Sequence, residues 1–191
     1  MTLKETIEKL PFNNEDYILA EDESKADLTR SFKRAYHYCI WLLSKRDYSR
    51  FKLARKLYEK KYTPYVDELL DFLEEAKYLQ EEQYIRTRIK TFMYKGQSKR
   101  NIINKLRAER LNVEGHIIEE IFEEYRYTEN NQLRELIHKK IRSKGIEALE
   151  DFNFKQKLIR FLLSKGHSYD KIKTEINYVQ NEESNAQDYP I

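Results

Sequence analysis

One cysteine, four glycines and three prolines are spread over 191 residues, and each scarcity excludes something. A lone thiol, Cys39, can neither close an internal disulfide nor build a thiolate metal site, which fits a reducing compartment. Glycine and proline at ordinary use would be about 7% and 5% of the chain. Their shortage argues against a turn-rich β protein and for long helices. No apolar run approaches the ~20 residues of a membrane-spanning helix, and the opening MTLKETIEKLPFNNEDY has no apolar core of a secretory signal. A cytoplasmic chain without a membrane partner is expected.

Catalytic and cofactor signatures are missing as well. No G-x-x-x-x-G-K-[ST] or G-x-G-x-x-G loop occurs to cradle phosphate. His37, His116, His138 and His167 do not fall in H-E-x-x-H spacing. They read as helix-surface residues, Cys39 reads as core packing, and the expectation is a protein that is not an enzyme and needs no cofactor or metal.

What is present is charge and helical periodicity. Charged residues make up 36% and hydrophobic ones 40%, so any core is thin and spread out. The 15 tyrosines read as broad apolar bodies with polar tips at core edges, in preference to stacking surfaces. Leu28 to Lys45 carries Phe32, Ala35, Tyr36, Cys39, Ile40, Leu42 and Leu43 at helical spacing. Ser49 is placed to cap a second helix bearing Leu53 and Leu57 on one face, and Thr63-Pro64 to start a third.

The same grammar returns 49 residues later, with Ser98, Ile102 and Leu106 standing where Ser49, Leu53 and Leu57 stood. A helix containing Tyr84 stops at Lys95-Gly96, where Gly96 can take the left-handed conformation, and Asn112 is placed to cap the third helix. A looser third copy, capped at Ser168, needs an insertion near Ile146 to Asp151. The expected architecture is all-α: an elongated array of three tandem three-helix, helix-turn-helix-like repeats. Residues 1–27 form an acidic arm, 28–80, 81–127 and 128–183 the repeats, and 184–191 a frayed tail. With helices of ~15 residues, roughly 22 Å each, the array spans on the order of 60 Å, as a monomer.

Charge alternates in phase with these copies. Ser44 to Tyr62 has 8 basic and 2 acidic residues, while Thr63 to Ile85 has 1 and 7. Arg86 to Leu111 has 9 and 1, and Asn112 to Leu133 has 1 and 6. The blocks either neutralise one another within each bundle or line up as a positive strip suited to a polyanion or an acidic protein groove.

The stretch Leu42-Leu43-x-x-Arg46-x-x-Ser49-x-x-x-Leu53-x-x-x-Leu57, with Glu81-Glu82-x-Tyr84, Lys95-Gly96, Ser98, Ile102 and Leu106, resembles the RecX family of RecA regulators. Lys52 departs from the acidic residue usual there. The resemblance implies a non-enzymatic modulator that binds the RecA nucleoprotein filament along its groove. Such a modulator inhibits ATPase, strand exchange and coprotease activity, with weak, non-specific contact to single- or double-stranded DNA. Candidate contact residues are Arg46, Arg50, Arg55, Lys56, Arg86, Arg88, Lys95, Lys99, Arg100, Lys105 and Arg107. Leu42, Ser49, Leu53, Leu57, Tyr84, Gly96, Ile102 and Leu106 hold the motif in shape. Charge reversal at Arg50, Arg55, Arg100 and Arg107 is expected to leave melting nearly unchanged. The alternatives are a RecA-independent helix-turn-helix DNA-binding protein and a bare interaction scaffold.

Overall fold

The computed structural model describes residues 23–62 and 66–187, with side chains from 30 to 182. The expected arm before residue 23, the Thr63-Pro64 restart and the last four residues lie outside the described residues. Nine α-helices and one short 3-10 turn make up the described chain, without a strand. The first repeat is α1 (Glu23–Leu43), α2 (Arg50–Glu59) and α3 (Val66–Glu75). The second is α4 (Glu81–Tyr94), α5 (Lys99–Ala108) and α6 (Gly115–Glu124). The third is α7 (Glu129–Ile141), a 3-10 turn (Ile146–Leu149), α8 (Phe152–Ser164) and α9 (Tyr169–Gln187). That turn occupies the position where the longer third copy required an insertion.

Apolar spacing divides the protein into three successive cores. Leu53 and Leu57 of α2 are sealed against Cys39, Leu69, Leu70 and Leu73. Ile102 and Leu106 do the same against Ile89, Met93, Ile121 and Phe122. Leu158 and Leu162 meet Leu133, Ile137, Ile172 and Ile176. Burial pushes the Cys39 thiol up to about 12, so it packs as a small hydrophobe.

Helix starts follow the sequence signals unevenly. The Ser49 and Ser98 hydroxyls accept from Lys52 N at 3.3 Å and Asn101 N at 3.2 Å, and Ser168 accepts from Lys171 N at 3.4 Å. Asn112 is not a cap: α6 begins three residues later, behind Glu114, with no side-chain cap. At its N-terminus α1 begins at Glu23, five residues before the expected Leu28, and α9 runs on to Gln187 through part of the expected tail. The middle and last helices of the first two repeats are 10 residues, about 15 Å, shorter than the expected 22 Å.

Helix ends share one device. Gly96 and Gly166 turn left-handed after α4 and α8, at φ 71° and 90°. Four other helices reach the same conformation without glycine, at Lys61, Lys77, Arg110 and Arg126. In each case the next amide returns to the last turn: Tyr62 to Leu57, Tyr78 to Leu73, Leu111 to Leu106 and Tyr127 to Phe122. This explains how so many helices end with so few glycines.

Successive repeats are joined at equivalent places. The Arg50 amide donates to Glu81 Oε1 at 2.9 Å, and the Lys99 amide donates to Glu129 Oε1 at 3.2 Å. In both, a carboxylate on the first helix of one repeat caps the second helix of the repeat before it.

Candidate polyanion-binding face

The eleven basic residues singled out above separate into two groups once their neighbours are known. The first group is taken up internally. Arg50 meets Asp71 at 2.7 Å and Glu74 at 3.0 Å on α3; Lys99 meets Glu119 on α6; Arg86 meets Glu124 at 3.2 Å. Arg55 and Lys56 share Glu59. The acidic third helix of each of these repeats thus neutralises part of the basic second helix.

Arg88 belongs to a network between repeats. Glu109, at the end of α5, accepts from Arg88 and, at 2.6 Å, from Lys52 Nζ. Lys52 also donates to the Tyr84 hydroxyl at 2.7 Å, and Tyr84 in turn donates to Glu109 at 3.2 Å. Burial opposes the Glu109 charge, but Arg88 and Lys52 together hold the carboxyl below its usual range. The cation at position 52 therefore serves as a cross-repeat tie, and the buried motif residue Tyr84 is part of it.

Arg46, Lys95, Arg100, Lys105 and Arg107 have no carboxylate partner among the described residues. Arg46 lies over the Tyr48 ring, 4.9 Å from its centre, and donates to its hydroxyl. Arg100 and Arg107 are exposed and seven residues apart on α5, which puts them on one face.

Lys95 and Lys105 converge with two lysines from the third repeat that sequence reasoning passed over. Lys165, at the end of α8, donates to the Lys95 carbonyl at 3.0 Å. Burial, and then the charges of Lys105, Lys95 and Lys140, depress its pKa. Phe161 lies beneath Lys140 and Lys165, at 4.4 and 5.3 Å from ring centre to Nζ, and Phe92 beneath Lys105 at 5.9 Å. Four ammonium groups are thus gathered, three of them over two rings, and none has a carboxylate partner among the described residues. Lys165-Gly166 repeats the Lys95-Gly96 pattern, a signal present in the sequence. That the two turns meet is visible only in the fold.

The turns are locked together by mostly neutral hydrogen bonds. Ser98 N donates to the Lys165 carbonyl at 3.0 Å and Ser98 Oγ to the Gly166 carbonyl at 2.8 Å. His167 Nε2 donates to the Gly96 carbonyl at 3.1 Å, and Gln132 Nε2 to the Met93 carbonyl at 2.6 Å. The glycines allow this approach: a Cβ on Gly166 would lie 2.6 Å from Asn101 Cβ, and one on Gly96 2.6 Å from Leu136.

Among the described residues no group of three or more His, Cys, Asp or Glu could hold a metal ion. None of their helices is long and apolar enough to cross a membrane.

Family models described as the first and third three-helix domains of RecX match residues 35–73 and 128–174. A regulatory protein RecX from Haemophilus ducreyi is 32% identical over 139 residues, which is 69% of this chain and 83% of that protein. The chain belongs to the RecX family. A RecX regulatory protein from Vibrio parahaemolyticus is 28% identical over 142 residues, or 73% of this chain and 87% of its own length. The fold matches the crystal structure of RecX from Lactobacillus salivarius with a TM-score of 0.58 at 21% identity. That likeness covers 78% of this chain and 96% of the other. The all-α repeat array is therefore the RecX architecture, and family membership makes the chain a regulatory protein.

Proposed function

We propose that this RecX-family chain binds the groove of the RecA nucleoprotein filament and restrains its ATPase, strand exchange and coprotease activity, without catalysis of its own. The observation that carries the reading is the cluster of Lys95, Lys105, Lys140 and Lys165, four cations with no carboxylate partner among the described residues. Like charges held together at a cost favour a partner that removes it, either acidic protein surface or exposed phosphate. Arg100 and Arg107 extend the positive surface along α5. Arg50, Arg86, Arg88 and Lys99 contribute less directly, since each is already occupied by a carboxylate.

The test is the DNA-dependent ATPase of RecA, measured with this chain and with its Lys105→Glu, Lys140→Glu, Lys165→Glu variant. The wild-type chain lowers the rate and the triple variant does not, while both keep the same helicity. Equal inhibition by the two proteins would show that filament contact lies elsewhere. No effect of either on RecA, combined with tight sequence-specific DNA binding at 200 mM salt, would favour the helix-turn-helix alternative, since non-specific phosphate contacts lose about 10³ or more in affinity between 50 and 200 mM.

A further inference from the structure

The first repeat carries one large ring that its core does not use, beside two partly buried tyrosines packed against that core. Trp41, the single tryptophan of the chain, is 57% exposed on α1. Tyr38, one helical turn earlier, lies nearly parallel to it, with ring centres 6.3 Å apart and planes 17° from one another. Tyr62, just after α2, lies 6.3 Å from Tyr38 between ring centres, tilted by 45°.

One cation lies against this group and others stand nearby. Lys60 Nζ is 5.8 Å from the Tyr38 ring centre. The Tyr38 hydroxyl, pushed up by burial, also feels Lys56, Tyr48 and Glu59, and Arg46 covers the Tyr48 ring. Glu59 is the nearby acid, and Arg55 and Lys56 already engage it. Lys60 and Arg46 have no carboxylate partner among the described residues.

An exposed indole backed by a parallel, partly buried phenol, beside cations without a carboxylate partner among the described residues, matches the two things a single-stranded nucleic acid presents: base faces to stack and phosphates to neutralise. The centre of a protein interface is depleted of charge, whereas here Lys60 lies against the Tyr38 ring itself. A duplex keeps its base faces internal and offers only groove edges and phosphates. We propose that Tyr38, Trp41 and Tyr62, with Lys60 and Arg46, form a stacking platform for single-stranded nucleic acid on the first repeat. The inference rests on the nucleic-acid contact within the proposed function, but not on RecA.

The experiment needs no RecA. The full chain is titrated at about 50 mM salt with a thymidine oligonucleotide of about 15 residues, reading Trp41 emission and the anisotropy of the labelled oligonucleotide together. Trp41 emission falls with the midpoint of the anisotropy rise, and a duplex of the same length leaves it unchanged. Trp41→Ala weakens binding by about five- to 150-fold, the range one base–aromatic stack supports, and Trp41→Phe recovers most of it. Because Trp41 is exposed, both variants keep the wild-type melting profile. Anisotropy that rises while Trp41 emission stays constant, or equal affinity of Trp41→Ala and wild type, overturns the platform and leaves the lysine cluster as the nucleic-acid site. Absence of both signals overturns the platform and the nucleic-acid contact, with RecA inhibition still open to the separate ATPase assay. Quenching by RecA filaments but not by the oligonucleotide makes the rings a protein-docking surface and overturns the inference.

Discussion

At the residue scale, one partly buried and one buried titratable group connect the joints between repeats to pH. Glu109 has its folded pKa lowered from the ordinary 4.5 by Arg88 and Lys52 against the effect of burial. Its stabilising contribution is complete above that value and is lost as pH falls through the lowered one. Glu109→Gln therefore melts earlier than wild type at neutral pH, and the gap closes in acid, as thermal denaturation across pH 3 to 7 can check. His167 acts over a different range. Burial lowers its pKa from 6.5, the Gly96 carbonyl and Glu129 push it up, and Lys171 and Lys165 push it down. Its Nδ1 is buried without a hydrogen-bond partner, so adding a proton there is unfavourable. Stability attributed to His167 is full above pH 6.5 and falls as pH drops from 6.5 toward the lowered value. His167→Gln keeps a donor for the Gly96 carbonyl, and its melting temperature is expected to stay flat between pH 6.5 and 5 where that of the wild type declines.

At the element scale, a helix is held by its buried face and by how it stops. Leu53→Ala empties a fully buried position of α2 and is expected to cost about 2–5 kcal/mol in denaturant unfolding. The turn after α5 responds in the opposite direction. Arg110 is left-handed at φ 62°, a conformation that costs a non-glycine residue about 1–2 kcal/mol, while a glycine loses more backbone entropy on folding. Arg110→Gly therefore raises the unfolding midpoint modestly, whereas Gly166→Ala lowers it, because a Cβ there meets Ser98 and Asn101. These same positions show what the sequence made legible. Ser49, Ser98, Gly96 and the apolar spacing of Leu53, Leu57, Ile102 and Leu106 act within a turn or two of themselves, so local chemistry identifies them. Lys61, Lys77, Arg110 and Arg126 carry no such mark, since cations are common at helix C-termini in any conformation. The ion pairs of Arg50 are hidden from the sequence for a related reason: its partners Asp71 and Glu74 lie on another helix, and periodicity does not specify which helix face meets which. Charge reversal at Arg50 consequently lowers melting, contrary to the expectation from an exposed site, while Arg100 and Arg107 keep the expected tolerance.

At the scale of the whole molecule, the two joints between repeats are built from different materials. The first is ionic, with Glu109 among Lys52, Arg88 and Tyr84. The second is largely a set of neutral hydrogen bonds among Ser98, Gln132, Gly96, Gly166 and His167, packed too closely for a Cβ at either glycine. Salt screens charges and leaves neutral hydrogen bonds nearly untouched. Hydrogen exchange measured at low and high salt should then quicken around Tyr84 and Glu109 and stay constant around Ser98 and His167. Ionic strength is therefore a dial that acts on one joint more than on the other: it loosens the charge tie at Glu109 and leaves the Ser98–Gly166 lock in place, so the placement of the first repeat depends on salt and that of the third does not.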